Sequence, residues 1–104
     1  MNEITDEYEF SYLMCFNKYK VLVFYHNRCM ECKHIFHSIE LLEMNFPQYD
    51  FNYINTDYNK TLVKEFNITH VPTLVFLQDS KVVEKIVGYR SYIELENILN
   101  NITH

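Results

Sequence analysis

This chain of 104 residues has no tryptophan, one glycine, two prolines and three cysteines. Because residues that break helices and strands are so few, each of them marks a particular backbone requirement. Apolar residues make up 48% of the chain and aromatic residues 16%, with nine tyrosines and eight phenylalanines. That composition is globular and excludes an intrinsically disordered chain. The length predicts a single domain over residues 1–104, large enough to bury its own core.

A surplus of basic residues is also missing, since the formal net charge is −5 and the pI is about 5.4. A nucleic-acid partner, which would need clustered lysine and arginine, is therefore not expected. No apolar run approaches the length of a membrane span, so a membrane partner is not expected either. Residues 1–9 have neither the basic start nor the apolar middle of a signal peptide, which predicts a cytoplasmic protein, and we expect a monomer.

Hydrophobic periodicity predicts alternating strands and helices. Apolar or alternating runs predict strands at residues 21–25, 51–55, 73–77 and 82–87, with a further short strand around 3–5. Helical spacing predicts a first helix that ends near residue 17, a second from residue 29 that stops at Pro47, and others at 59–66 and 92–102. Asp6 with Glu9, and Ser91 with Glu94, form capping-box patterns. This order predicts an α/β fold, and the final pair of strands forms a hairpin that makes the sheet mixed.

Cys29-Met30-Glu31-Cys32 follows a buried strand directly and opens a helix. The free amides and the dipole at a helix N-terminus stabilise a thiolate, so Cys29 is the predicted nucleophile. Cys32 lies one turn further on the same helix face, where its sulfur can resolve a mixed disulfide. Arg28 should favour the Cys29 thiolate, and Glu31 should oppose it.

The segment from Phe24 to Lys33, which contains this motif, resembles the active-site segment of thioredoxins. Val71-Pro72-Thr73, about forty residues downstream, resembles the cis-proline loop of the same family. The resemblance extends from about Thr5 to Ile102. It implies a thioredoxin fold with a mixed sheet of four to five strands and helices on both faces. It also implies that Pro72 is cis and packs beside the two sulfurs, and that the backbone of Val71 pairs with substrate.

The chain departs from the family pattern at several positions around the cysteines. Met30-Glu31 replaces the usual Gly-Pro, and Arg28 replaces the usual tryptophan. Val23 stands where a buried aspartate is expected, and Tyr53 corresponds to the lysine that pairs with it. His37 replaces a helix-kinking proline. The nucleophile is intact, but the usual route for a proton to Cys32 is missing.

Other interpretations of these residues remain open at this point. Cys29, Cys32, His34 and His37 are zinc-ligand types, although all four lie on one predicted helix and cannot readily face one tetrahedral centre; no metal is expected. Cys29 and Cys32 are alternatively two small buried residues at a strand–helix junction. Cys15, on the predicted first helix, is expected to be buried. His26 and His70 flank the motif and the proline loop and can contact substrate.

These patterns predict an enzyme, a thiol–disulfide oxidoreductase that reduces protein disulfides through the Cys29/Cys32 dithiol. Arg28, Val71 and Pro72 are the expected substrate-binding residues. The resemblance implies protein disulfides as substrates, a thioredoxin-reductase-like electron donor, and no bound cofactor. The alternative is a thioredoxin-fold binding or assembly protein whose dithiol is vestigial or regulatory. A third possibility is a disulfide oxidase or isomerase in an oxidising compartment.

Overall fold

A computed structural model describes residues 2–102 of the chain. Strands and helices alternate until a final hairpin and helix. The elements in chain order are β1 (Asn2–Ile4), α1 (Glu7–Leu13), β2 (Tyr19–Tyr25), α2 (Met30–Asn45), β3 (Tyr49–Asn55), α3 (Lys60–Glu65), β4 (Thr73–Gln78), β5 (Lys81–Val87) and α4 (Tyr92–Ile102). No helix among the described residues is long and apolar enough to cross a membrane.

The five strands form one mixed sheet in the order β1-β3-β2-β4-β5. β3 pairs in parallel with both β1 and β2, whereas β4 pairs antiparallel with β2 and β5. β2 therefore lies at the centre, and five of its seven residues are buried. This burial explains why residues 21–25 form a continuous apolar run, as central strands do. The expected mixed sheet is confirmed.

Helices cover both faces of the sheet, and each face has its own apolar core. α2 and α4 contribute Ile35, Leu42 and Leu95 to one core, where they pack on alternate residues of the central strands. α1 and α3 contribute Phe10 and Leu62 to the other. Alternate β2 residues therefore point to opposite cores, with Val23 in the first and Phe24 in the second.

Side chains cap the first and last helices as the sequence predicts. Asp6 accepts a hydrogen bond from the Glu9 amide at 2.8 Å. Ser91 and Glu94 form both bonds of a capping box, at 3.3 and 3.1 Å. Each bond satisfies an amide that the start of a helix leaves without an intrahelical partner.

The first helix ends earlier than predicted, and this corrects the expectation for Cys15. α1 stops at Leu13, and the amides of Cys15 and Phe16 bond to carbonyls three residues back in a tight turn. The turn directs Cys15 outward, so the thiol is exposed and not buried. Its sulfur contacts the Ser11 carbonyl at 3.7 Å. Helical periodicity continued through this segment in the sequence, but the chain has to turn here to enter β2.

Next to this turn, β2 contains a buried lysine that the sequence pattern did not predict. Lys20 is only 2% exposed, and its ammonium donates to the carbonyls of Phe16 and Asn17. Burial lowers the pKa of Lys20. These contacts give the ammonium of a buried side chain hydrogen-bond partners, which a buried charged group requires.

Candidate active site

β2 positions the Cys-x-x-Cys motif at the point where the strand ends and α2 begins. After Tyr25 the chain makes a turn, in which the Cys29 amide bonds to the His26 carbonyl at 3.3 Å. The Arg28 amide donates to Nδ1 of His26 at 3.2 Å. Cys29 is extended, with φ −94° and ψ 110°, and occupies the N-cap position of α2. The predicted placement of this cysteine at a helix N-terminus is therefore the observed one.

Cys29 and Cys32 form a disulfide, with their Cα atoms 5.2 Å apart. Cys29 Sγ also accepts a hydrogen bond from the Cys32 amide at 3.1 Å. A donor in this position favours negative charge on Cys29 when the disulfide is opened, because hydrogen bonds to a charged acceptor are stronger. The two sulfurs are thus close enough to exchange between dithiol and disulfide.

The two cysteines differ in their access to solvent. Cys29 is 9% exposed and Cys32 is 1% exposed. Cys29 is therefore the more accessible of the two sulfurs, and Cys32 lies further along the helix.

The proline loop lies at the same end of the sheet as the motif. Thr73, the first residue of β4, pairs with Phe24 near the end of β2, because these two strands are antiparallel. The Val71–Pro72 bond is cis, as the resemblance implies. Pro72 is buried and Val71 half-buried. The Pro72 carbonyl accepts the Gly88 amide at 2.8 Å, which ties the loop to the end of β5.

A pocket of about 370 Å³ lies beside this loop. Its lining includes His26, Lys60, His70 and Val71. Oγ1 of Thr69 lies 2.9 Å from Nδ1 of His70. The two histidines that flank the motif in sequence are therefore brought to one pocket, which includes the backbone segment expected to pair with substrate.

The side chains proposed to modulate the cysteines point into solvent. Arg28 and Glu31 are both exposed, which weakens their effect on a thiolate through screening by water. His34 and His37 are exposed as well. Within residues 2–102, no three side chains of the metal-binding types converge on one centre.

Apolar and phenolic side chains occupy the region where a carboxylate and a lysine are usual. Val23 is completely buried and pairs in register with Tyr53 on β3. The Tyr53 hydroxyl is buried and has no hydrogen-bond partner. Burial, followed by the charges of Glu43, Glu40 and Glu3, raises the pKa of Tyr53. Tyr53 is therefore neutral, and neither residue of this pair carries a charge.

Sequence reasoning missed one feature of this region, a side-chain contact between β1 and β2. The Tyr25 hydroxyl donates to the Glu3 carboxylate. Burial and this hydrogen bond raise the pKa of Tyr25 to about 12. Glu3 is exposed as a residue, yet partial burial of its carboxyl group raises its pKa too. The two residues are 22 positions apart, and only the strand order brings them together, so no local signal could have identified them.

Comparison with known proteins identifies similar chains over nearly the whole length. The family model described as Thioredoxin matches residues 2–101. The thioredoxin of Mycoplasmoides gallisepticum is 30% identical over 95% of this chain and 99% of its own length. Thioredoxin-1 of Saccharomyces cerevisiae is 31% identical over 77% of this chain and 78% of its own. The structure of oxidized mitochondrial thioredoxin 3 from the same yeast superposes with a TM-score of 0.89, at 27% identity, over 97% of this chain and 94% of that one.

Proposed function

Because this chain belongs to the thioredoxin family and is a thiol–disulfide oxidoreductase with a Cys29/Cys32 pair, we propose that it reduces disulfides in other proteins. The observation that carries the proposal is the unequal exposure of two bonded sulfurs at a helix N-terminus. A reductase needs an accessible nucleophile and a resolving thiol behind it. Cys29 and Cys32 have these two placements.

The reaction proceeds in two exchanges. The Cys29 thiolate attacks one sulfur of the substrate disulfide, forms a mixed disulfide and releases the other substrate sulfur as a thiolate. Cys32 then loses its proton and attacks Cys29 Sγ. This step releases the second substrate thiolate and leaves the Cys29–Cys32 disulfide. The substrate has gained two electrons, and a thioredoxin-reductase-like donor returns two electrons and two protons to the protein.

The neighbouring residues have distinct roles in this proposal. The backbone of half-buried Val71 pairs with an extended segment of the substrate, and Pro72 supports that segment beside the sulfurs. Arg28 is exposed next to Cys29, where it can contact the substrate chain entering the site. We place the protein in the cytoplasm as a monomer of one domain, with the reductase as its recycling partner.

Reduction of insulin disulfides tests the activity, measured with dithiothreitol alone and then with a thioredoxin reductase and NADPH. The expected result is turnover in both assays, with loss of activity in Cys29→Ser. Cys15→Ser is the matched control, because that thiol is exposed but lies outside the motif. Absence of insulin reduction by a folded, fully reduced protein would contradict the proposal and favour the binding-protein alternative.

Trapping of the mixed disulfide tests the roles of the two sulfurs. Cys32→Ser should accumulate a covalent adduct with substrate through Cys29, whereas Cys29→Ser should form none. Mass spectrometry of the adducts after digestion locates the linkage. Adducts through Cys32 at comparable yield would reverse the assignment.

A further inference from the structure

The pocket of about 370 Å³ beside the proline loop has no role in the two exchange steps. We call it the histidine pocket and define it by His26, Lys60, His70 and Val71, which are among its lining residues. It adjoins both parts of the site, because the His26 carbonyl accepts the Cys29 amide at 3.3 Å and Val71 precedes the cis proline. A polypeptide that is bonded to Cys29 and pairs with Val71 therefore runs along the edge of this pocket.

The side chains of the histidine pocket offer hydrogen-bond donors that nothing else uses. The Lys60 side chain is exposed, and its ammonium has no partner among residues 2–102. Nδ1 of the half-buried His26 accepts the Arg28 amide at 3.2 Å, so the proton of the neutral ring is on Nε2, which can donate. Nδ1 of His70 lies 2.9 Å from the Thr69 hydroxyl, and Nε2 is again the ring nitrogen left for a ligand.

Charge distinguishes the histidine pocket from the rest of the protein. The chain has a formal net charge of −5, yet the described residues that line the pocket include one lysine, two histidines and no carboxylate. The protein as a whole repels an acidic polypeptide, whereas this pocket attracts a carboxylate at short range. Overall charge therefore predicts that acidic substrates react more slowly, and a preference for them at particular positions has to come from a local basic site.

We propose that the histidine pocket binds a glutamate or aspartate side chain of the substrate protein, close to the disulfide that Cys29 attacks. The pocket then selects substrates for the proposed reductase function, on which this inference rests. A carboxylate accepts strong hydrogen bonds from ammonium and imidazole N–H groups. The buried Ile68 and the half-buried Val63 also line the pocket, and they provide apolar surface for the methylene groups of the acidic side chain. Because side chains alternate between the faces of an extended chain, only alternate substrate positions point into the pocket.

Single-turnover kinetics with short peptide disulfides test the proposal. Each peptide has a central cysteine bonded to thionitrobenzoate. Attack by Cys29 of the reduced protein links the peptide to the protein and releases the coloured thionitrobenzoate thiolate. Glutamate, glutamine and lysine are compared at each position close to the peptide cysteine. We expect glutamate to react about fivefold faster than glutamine at one position, or at two positions that are two residues apart, which is the scale of a solvent-exposed ion pair. Lysine at those positions should react more slowly than glutamine, and high salt should reduce both differences.

Variants assign the preference to the pocket. Lys60→Gln should bring the ratio of the glutamate and glutamine rates close to one, because it removes the full positive charge of the lining. Lys60→Glu should reverse the order, so that the lysine peptide reacts fastest. Lys64→Gln is the matched control, since this lysine is exposed on the same helix but is not among the lining residues, and the ratio should be unchanged.

Three results would overturn the proposal. They are equal rates for glutamate and glutamine at every position, a preference that Lys64→Gln reduces as much as Lys60→Gln does, and a preference that survives Lys60→Gln but is lost in Arg28→Gln. Insulin reduction, measured in parallel, separates this inference from the function on which it rests. If insulin is reduced and glutamate gives no advantage, only the inference fails. If insulin is not reduced, the reductase function fails and the inference fails with it.

Discussion

Val23 lies where a proton acceptor for Cys32 would be expected, and Val23→Asp tests whether that absence limits the enzyme. Val23 is completely buried in the centre of β2. Its neighbours in register are Tyr53 on β3 and Leu74 on β4. A carboxyl group here enters an apolar core, so its pKa rises and it becomes able to accept a proton near neutral pH.

The cost to stability follows from the same burial. Val23→Asp removes apolar contacts and buries a carboxyl group, so we expect a loss of about 2 kcal/mol or more of unfolding free energy. Because the folded pKa of the new aspartate is raised, the folded state holds the proton more tightly than the unfolded chain. The loss should therefore be least below about pH 4 and grow by about 1.4 kcal/mol per pH unit until the folded pKa is passed. Val23→Asn is the matched control without a titrating group.

Kinetics give the second measurement. In the unmodified protein, Cys32 is 1% exposed, and burial disfavours its thiolate. The mixed disulfide should therefore accumulate transiently during turnover, which rapid acid quench and mass spectrometry detect. Val23→Asp should shorten its lifetime by a factor of about 100 or more, the lower end of the range for general-base assistance. Val23→Asn should not.

Two results would refute this reasoning. If the stability difference between the aspartate and asparagine variants does not change with pH, the new carboxyl group is hydrated and the core is not apolar at this position. If the attack of Cys29 is rate-limiting and the resolution step is unchanged in Val23→Asp, the missing carboxylate does not limit turnover.

Three further predictions concern residues outside the catalytic pair. Cys15→Ala should change the unfolding free energy by less than about 0.5 kcal/mol and insulin reduction by less than about twofold, because the thiol is exposed; a larger loss in urea denaturation would contradict this. Gly88→Ala should cost about 1–2 kcal/mol in the same assay, since φ is +92° while the added Cβ would meet nothing closer than 3.8 Å; an unchanged midpoint would show that the strand end relaxes. Glu94→Gln should lower the melting temperature at pH 7 and have no effect well below pH 4.5. Hydrogen bonds from Ser91 hold the pKa of Glu94 below its ordinary 4.5, and a carboxyl group with a lowered pKa stabilises the fold only when it is ionised. An equal effect at both pH values would rule out a contribution from the charge.

Local patterns in the sequence were sufficient to predict the order of the elements. The apolar run of β2, the helix start at Cys29 and the capping box at Ser91 all depend on residues within a few positions of one another. The motif and its position before a helix could therefore be predicted from the sequence alone, whereas the division of roles between Cys29 and Cys32 stays a prediction. The thioredoxin-like loop at Pro72 added the cis bond, which the structure contains.

Local periodicity was misleading at the end of α1, where apolar spacing continues but the helix does not. Met14 to Phe16 form a turn because the chain has to enter β2, and Cys15 is exposed as a result. The burial of Lys20 follows from the same turn, because its ammonium satisfies two carbonyls there. A constraint set by the whole sheet overrode the preference of a short segment.

The sequence by itself determined the chemistry of the site, because two cysteines three residues apart at a helix start need only local geometry to react. Only the tertiary structure decided what surrounds that chemistry. The Glu3–Tyr25 bond and the burial of the Tyr53 hydroxyl depend on the position of β3 between β1 and β2. The physical reason is that strand pairing brings together residues far apart in the chain, and no periodicity along the sequence records which strands become neighbours.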